Sequence, residues 1–176
     1  MILPAQAIRK LKPVTPFVER SVHGGMSYGL SSAGYDVRVA ESFWLSPEHK
    51  FCLASTMERF QMPSSLVGMV HDKSSWARRG VSLFNTVIEP GWHGYLTLEL
   101  TYHGDETIRI EAGMPIAQII FMQLVEPTEA PYTGKYQNQG QGAQPWIAEG
   151  WRDPDEIPDL STPEWDSVPK VVRSRG

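Results

Sequence analysis

Hydroxyl, cationic and carboxylate side chains gather in residues 71–100, around turns that strand-like residues flank. Four of them can donate hydrogen bonds to anionic oxygens: Lys73, Ser74, Ser75 and Arg78. Charged and hydroxyl donors so close together are typical of a site for phosphate or carboxylate oxygens. The segment therefore predicts a site for a small phosphorylated ligand.

Two carboxylates follow these donors. Glu89 precedes a Pro-Gly turn, and Glu99 interrupts an otherwise apolar strand pattern at 96–100. Burial disfavours the charged form of a carboxylate and raises its pKa toward the range that is useful for proton transfer. Glu99 is therefore predicted to be a general acid or base, with a cross-strand ion pair as the alternative interpretation.

The length and charge of the chain favour a small ligand over a polymer. With 176 residues, the chain can bury a substantial core as one compact domain. Its formal net charge of −4 argues against a protein that coats nucleic acid. We expect the basic residues to act as local clusters, which suit a nucleotide better than a nucleic acid.

Cys52 is the only cysteine, which excludes an intrachain disulfide framework and a multi-cysteine metal site within one chain. This cysteine usage predicts a reducing cytoplasm as the compartment. Residues 1–13 lack the apolar core of a secretory signal, and no apolar run is long enough to span a membrane. We therefore expect neither export nor a membrane partner.

Short alternating segments predict a mainly β fold, as a sandwich or a barrel. They are separated by Gly, Pro, Asp and Ser, and they are YDVRV (35–39), SFWL (42–45), LVGMV (66–70), VSLF (81–84), YLTLEL (95–100), TIRI (107–110) and IAQIIF (116–121). A short helix is predicted at 4–12, with Ile8 and Leu11 on one side. One or two helical turns are predicted at 73–79, where a serine is available as the N-cap.

The C-terminal part of the chain changes in composition. Residues 133–145 are rich in Gly and Gln and lack apolar periodicity, which predicts an arm or lid that is mobile without a ligand. Residues 146–176 carry four prolines and three of the six tryptophans, and we expect them to dock on their own or a neighbouring subunit. The predicted division is a domain at 1–145 and an extension at 146–176.

The order and spacing of several motifs resemble the dCTP deaminase branch of the trimeric dUTPase superfamily. The motifs are SSAGYDVRV (31–39), KSSWAR (73–78), IEPGW (88–92), LEL (98–100), AGMPIAQIIF (112–121) and GKYQNQ (134–139). The resemblance implies a dUTPase-like distorted β-barrel with short N-terminal and central helices. It also implies a homotrimer in which each site is built from more than one subunit.

The resemblance implies that the chain converts dCTP and water to dUTP and ammonia. Glu99 would then take a proton from the water that attacks C4 of cytosine, and it would protonate N3. Ser74 and a backbone carbonyl would hold that water, and Arg78 would support Glu99 electrostatically. Glu99 also distinguishes the branches, because the dUTPase pattern has an apolar residue at this point.

The resemblance also implies contacts to the rest of the nucleotide. The triphosphate would be bound by Lys73, Ser74 and Ser75, and an arm would close over it with Tyr132, Lys135 and Gln139. Lys73 replaces the usual arginine, which keeps the charge but loses the bidentate fork. The sugar would contact Glu89 and Trp92, and the base would contact Asn85 and Thr86.

No zinc is expected, because a zinc cytidine deaminase needs an H-x-E element and a P-C-x-x-C element, and this chain has neither. Magnesium is expected to arrive on the triphosphate, with few protein ligands. The resemblance also admits dTTP as a feedback ligand. Asp36 and Arg38 are expected to form buried pairs rather than to act in catalysis.

The sequence is also compatible with other functions. Glu89 stands where the superfamily usually has aspartate, and the segment between Arg78 and Glu89 is slightly shorter than in bacterial deaminases. These features keep open a dUTP pyrophosphatase, a bifunctional deaminase and pyrophosphatase, and a deaminase of a 5-substituted dCTP. A non-catalytic nucleotide-binding regulator is an alternative from a different class.

Overall fold

The computed structural model describes residues 1–147. Every element below belongs to the unit Met1–Trp146, the first of two units of the chain. Docking was predicted for the C-terminal extension 146–176, of which residues 148–176 lie outside the described residues. None of the described helices is both long enough and apolar enough to cross a membrane.

The described chain contains two short helices and twelve strands, so the predicted mainly β fold is confirmed. The helices are α1 Ala5–Leu11 and α2 Ser74–Ala77. The strands are β1 Val14–Thr15, β2 Ser21–His23, β3 Met26–Leu30, β4 Tyr35–Arg38, β5 Phe43–Leu45, β6 Phe51–Gln61, β7 Leu66–Asp72, β8 Val81–Leu83, β9 Val87–Ile88, β10 His93–Tyr102, β11 Ile108–Ile110 and β12 Pro115–Gln123.

Antiparallel pairing builds two larger sheets and one two-stranded sheet. One sheet has the order β2-β3-β4-β12-β7-β9, the other has the order β1-β6-β10-β8, and β11 pairs with β5. Apolar residues from both larger sheets are buried in a common core, among them Val37, Phe60, Leu98, Ile119 and Phe121. Successive side chains of a strand point to opposite faces of the sheet, so one face packs on this core and the other can carry the residues of a site.

The longest strand, β6, was not predicted. Its sequence FCLASTMERFQ places three polar residues, Ser55, Thr56 and Glu58, at buried positions, and these obscure the apolar alternation. Glu58 is fully buried, and Arg38 pairs with it, with Nε 2.8 Å from Oε1. Asp36 pairs with Lys73 at 3.0 Å. The predicted buried pairing of Asp36 and Arg38 is therefore confirmed.

Both predicted helices are present, with two corrections. Ile8 of α1 is buried as expected, but Leu11 is 45% exposed, because Lys12 adopts a left-handed conformation and ends the helix there. The N-cap of α2 is Lys73 rather than a serine, and no side chain caps the helix. Ser74 is instead the first helical residue, and its backbone carbonyl accepts a hydrogen bond from the N–H of Arg78.

Candidate active site

Strand β10 holds Glu99 at the edge of the core. Its even-numbered residues, such as Leu98 and Leu100, are buried, whereas Thr97 and Glu99 on the other face are only partly buried. Glu99 therefore points away from the core. Its partner across the sheet is Leu53 of β6.

Glu99 opens into a cavity of about 560 Å³. Six residues that were predicted to belong to the site line this cavity: Thr86, Glu89, Trp92, Glu99, Tyr132 and Gln139. The carboxylate, sugar-side and arm residues of the prediction are thus brought together within one chain. The cavity can enclose a small ligand with both carboxylates beside it.

Burial raises the pKa of the Glu99 carboxyl above its ordinary value of 4.5, and a hydrogen bond from its own backbone N–H opposes this rise. The structure shows no ion pair to Glu99 within residues 1–147. The direction of the pKa shift agrees with the prediction from the sequence. The environment therefore suits a carboxyl group that both accepts and returns a proton.

The turn after Glu89 places Trp92 in the lining of the cavity. The Trp92 N–H donates to the carbonyl of Glu89 at 3.1 Å, and Gly91 has the positive φ of 84° that the turn requires. The Trp92 ring is 6% exposed, and its Nε1–H donates to the carbonyl of Tyr136 at 2.7 Å. This contact joins the turn to the arm.

The arm lies along β10 of its own chain. The Gln137 amide nitrogen donates to the carbonyls of Gly91 and Tyr132 at 3.0 and 2.8 Å, and its oxygen accepts the N–H of His93 at 3.0 Å. Gln139 forms a parallel bridge with Gly94. The structure thus shows the arm in a docked position, and its mobility without a ligand stays a prediction.

Lys135 contacts two aromatic rings near the end of the arm, those of Tyr136 and Trp146. The ammonium group of Lys135 lies 5.4 Å from the centre of the Tyr136 ring and 5.7 Å from that of Trp146. Such distances are typical of cation–π contacts. Lys135 therefore stands beside the cavity, since Tyr136 and Trp146 both line it.

The predicted phosphate residues lie elsewhere. Lys73 and Ser74 line a second cavity of about 530 Å³, together with Arg20 and Asp36. Burial raises the pKa of Asp36, and the ion pair with Lys73 opposes this rise. Both side chains of this pair are more than nine-tenths buried. The ammonium group of Lys73 is thus already engaged by a carboxylate.

The remaining predicted residues line neither cavity. Ser75 is partly buried, whereas Arg78 and Asn85 are exposed. The guanidinium of Arg78 donates to the carbonyl of Ser74 at 3.2 Å. Within one chain, Ser74 and Arg78 therefore do not reach the cavity of Glu99.

Several cavity residues were not predicted from the sequence. They are Phe51, Leu53, Thr97, Gln144, Pro145 and Trp146. Thr97 could have been found, because it lies two residues from Glu99 and strand alternation puts both on one face. Phe51 and Leu53 gave no signal, because their strand was not recognised.

The described residues do not form a metal centre of their own. Across residues 1–147, no group of three or more His, Cys, Asp or Glu side chains is placed to hold a metal ion. A metal at this site would need ligands from elsewhere, such as the phosphates of a nucleotide and water.

Comparison with known proteins gives a consistent set of relatives. A family model described as dCTP deaminase-like matches residues 32–124. A dCTP deaminase of Roseiflexus castenholzii is 36% identical over 163 residues, and the match covers 74% of this chain and 89% of the relative. A dCTP deaminase of Pyrococcus horikoshii is 33% identical over 151 residues, covering 78% and 92% of the two chains.

Two solved structures share the fold. A 2′-deoxycytidine 5′-triphosphate deaminase from Agrobacterium tumefaciens has a TM-score of 0.53 at 19% identity, over 68% of this chain and 47% of that chain. The Staphylococcus bacteriophage 80alpha dUTPase has a TM-score of 0.50 at 19% identity, over 68% of this chain and 91% of that chain. At this identity the likeness concerns the fold alone, and it confirms the predicted dUTPase-like architecture.

Proposed function

Because this chain belongs to the dCTP deaminase-like family, we propose that it converts dCTP and water to dUTP and ammonia. One structural observation carries the proposal. Glu99 presents a partly buried carboxylate with a raised pKa to a cavity large enough for a pyrimidine and its sugar. Deamination needs a single group that takes a proton from water and passes it on, and this environment suits that task.

The proposed reaction begins when Glu99 takes a proton from a water molecule and the water oxygen bonds to C4 of cytosine. The C4–N3 double bond becomes single, and Glu99 gives its proton to N3. A second proton, from the new C4 hydroxyl, reaches the exocyclic amine. The C–N bond then breaks, ammonia leaves, and the carbonyl of uracil forms with Glu99 ionised again.

We propose that a neighbouring subunit supplies Ser74 and Arg78 to this reaction in a homotrimer. The exposed apolar residues beside the cavity support contact with another subunit, since Phe51, Phe84 and Val87 are 55%, 56% and 46% exposed. Ser74 would hold the attacking water, and Arg78 would stabilise the ionised form of Glu99. A shared site would also explain why one chain has two separate cavities.

The nucleotide contacts follow the same scheme. The triphosphate would meet Ser74 and Ser75 of one subunit and the arm residues Tyr132, Lys135 and Gln139 of another. Lys73 would join this contact by exchanging its ion pair with Asp36 for one with a phosphate. Mg²⁺ would enter on the phosphates and supply charge neutralisation there, which fits the lack of a metal-binding cluster within residues 1–147. The same contacts would admit dUTP, and dTTP as a feedback ligand.

Glu89, Trp92, Asn85 and Thr86 would face the sugar and the base. Glu89 and Trp92 line the cavity beside Glu99, and Thr86 does so as well, whereas Asn85 is exposed. The wall of this cavity also includes the apolar residues Val87 and Leu53. This wall also suits a cytosine with a small substituent at C5, so 5-substituted dCTP is a second substrate to test.

A bifunctional enzyme that also cleaves dUTP to dUMP and pyrophosphate is the second candidate function. The observation that favours it is that Glu89 lines the same cavity as Glu99, which provides a second carboxylate for orienting a hydrolytic water. A regulator without turnover is less well supported, because Glu99 retains a catalytic environment. As the compartment we propose the cytoplasm, where the free thiol of Cys52 would stay reduced.

The deciding experiment incubates the full chain with dCTP and Mg²⁺, and separately with dUTP and with 5-methyl-dCTP. We expect equal amounts of ammonia and dUTP from dCTP, measured by an ammonia assay and by nucleotide chromatography. Formation of dUMP and pyrophosphate would favour the bifunctional enzyme. Tight dCTP binding without any product would contradict deamination and favour the regulator.

A further inference from the structure

Two hydroxyl groups beside the cavity of Glu99 receive the arm. Thr97 of β10 and Ser55 of β6 are direct partners across the sheet, so their side chains lie on the same face. Two residues farther along each strand, the next pair on that face is Glu99 and Leu53. The pair Thr97–Ser55 is thus adjacent to the pair Glu99–Leu53 on the same face of the sheet.

The arm donates to both hydroxyls. The backbone N–H of Gln144 donates to Oγ1 of Thr97 at 3.0 Å, and that of Gly142 donates to Oγ of Ser55 at 3.2 Å. The side-chain amide of Gln139 also donates to Oγ1 of Thr97. Gly142 and Gln144, two residues apart on the arm, therefore contact Ser55 and Thr97, which are direct partners across the sheet.

The two hydroxyls are held in different ways. Ser55 is fully buried, and its hydroxyl donates to Oε1 of Glu41 at 2.7 Å, which fixes its orientation. Thr97 has no such partner in the hydrogen bonds of the described chain and instead accepts two bonds from the arm. The position of the arm over the cavity thus depends on the Thr97 hydroxyl more directly than on any other side chain of β10.

The residues that follow this contact form a wall of the cavity. Gln144, Pro145 and Trp146 line it together with Glu99. A wall in this place would keep water from the carboxylate, and burial is the cause that raises the pKa of Glu99. The anchoring of the arm and the environment of Glu99 are therefore connected through residues 142–146.

We propose that Thr97 is a positioning residue for deamination, which anchors the arm by its hydroxyl and so sets the wall that shields Glu99 from water. This inference rests on the proposed function. Thr97 acts through the arm and not on the reacting atoms. Replacement of its hydroxyl by a methyl group should therefore alter the arm and the protonation of Glu99 together.

Other titratable groups near the cavity are placed differently. Glu89, Tyr132 and Tyr136 line it, Glu41 lies behind Ser55, and Lys135 lies over the rings of Tyr136 and Trp146. Glu89 is exposed, so its hydration changes little when the wall moves. Glu99 lies two residues from Thr97 on the same face of β10. The acidic limb of Thr97→Val is therefore compared with that of Thr101→Val, which leaves the arm contact and all of these groups in place.

The test compares Thr97→Val with Thr97→Ser and with Thr101→Val in the full chain. Valine keeps the shape of threonine but removes the acceptor, serine keeps the acceptor, and Thr101 lies four residues along the same face without lining the cavity. Hydrogen exchange of peptides covering 137–147 measures the arm without requiring activity. The pH profile of kcat/KM for dCTP measures Glu99.

For Thr97→Val we expect faster exchange of the arm and a loss of about 10- to 100-fold in kcat/KM, because arm donors lose their acceptor. We also expect the acidic limb of the profile to move to lower pH, since a hydrated Glu99 ionises more easily. Thr97→Ser and Thr101→Val should resemble the original protein in each measurement.

Two outcomes would overturn the inference. Unchanged exchange in Thr97→Val would show that the hydroxyl does not anchor the arm, whatever the activity of the chain. Faster exchange with an unmoved acidic limb would show that the arm does not set the environment of Glu99. If the original protein has no deaminase activity, the proposed function fails, and the exchange measurement still decides the anchoring.

Discussion

At the residue scale, Glu99 is the centre of the proposed chemistry. Strand alternation turns its carboxylate out of the core, and the cavity around it keeps it partly from water. Its pKa lies above 4.5 for this reason. A general base must be ionised, so kcat/KM should fall as the pH drops through this raised pKa.

Glu99→Gln should lower turnover by about 10²–10⁴-fold, because it keeps the shape of the side chain and removes the group that carries the proton. Binding of dCTP, measured by calorimetry, should be retained. Glu111→Gln is a matched control, because Glu111 is exposed and forms its salt bridge within residues 1–147 with Arg109 on the surface. Near-full activity of folded Glu99→Gln would move the search for the base to Glu89.

Lys73, which the KSSWAR motif offers as a phosphate-binding cation, forms a buried ion pair in the structure. The sequence predicts a cation for phosphate, whereas in the structure its ammonium lies 3.0 Å from Asp36. Removal of one partner of a buried pair leaves the other charge uncompensated and destabilises the fold. A loss of nucleotide binding in a Lys73 variant is therefore informative only when the variant remains folded.

At the element scale, the arm and β10 approach each other so closely that one position requires glycine. Gly94 has φ of +144°, and a Cβ there would lie 2.7 Å from the backbone nitrogen of Gln139. The bulge between Tyr95 and Thr97 lies next to this contact. The arm thus docks where β10 is least regular and its backbone groups are available for bonding.

Gly94→Ala should displace the arm and raise the KM for dCTP by about tenfold, because backbone strain of roughly 1–3 kcal/mol opposes the docked position. Steady-state kinetics measure this effect. Gly140→Ala in the same arm is the control, since an added Cβ there meets nothing within 4 Å. An equal effect of the two substitutions would mean that general stiffening of the arm, and not its contact with Gly94, is responsible.

At the scale of the whole molecule, one chain separates the groups that the proposed reaction combines. Glu99 faces one cavity, whereas Ser74 faces the other. The exposed rings of Phe51 and Phe84 lie 6.2 Å apart and form an apolar edge. Burial of such an edge by another copy of the chain would favour assembly and complete the site.

Co-expression of two defective chains tests this assembly. Glu99→Gln lacks the proton carrier, and a Ser74→Ala, Arg78→Ala double variant lacks the groups of the other half. Random mixing in a cyclic trimer should restore about a quarter of the sites. Each intact site needs Glu99 from one subunit and Ser74 with Arg78 from its neighbour, and each of these two conditions is met half of the time. Activity of the mixture no greater than that of its components would show that the sites are not shared.

The sequence by itself determined the family resemblance, the mainly β fold and the identity of Glu99 as the acid or base candidate. These follow from local patterns: turn residues, alternation, and one carboxylate in an apolar strand. It also indicated that Asp36 and Arg38 form buried pairs. The strand β6 was missed, because Ser55, Thr56 and Glu58 are buried by partners distant in sequence.

The tertiary structure decided how these residues are grouped. It joined Glu89, Trp92 and Glu99 to the arm in one cavity, and it placed Lys73 and Ser74 in another. It also paired Thr97 with Ser55 beneath the arm. The contacts of Thr97 with Ser55 and with the arm join residues more than 40 positions apart. Their geometry depends on strand register and burial, which local sequence patterns do not contain.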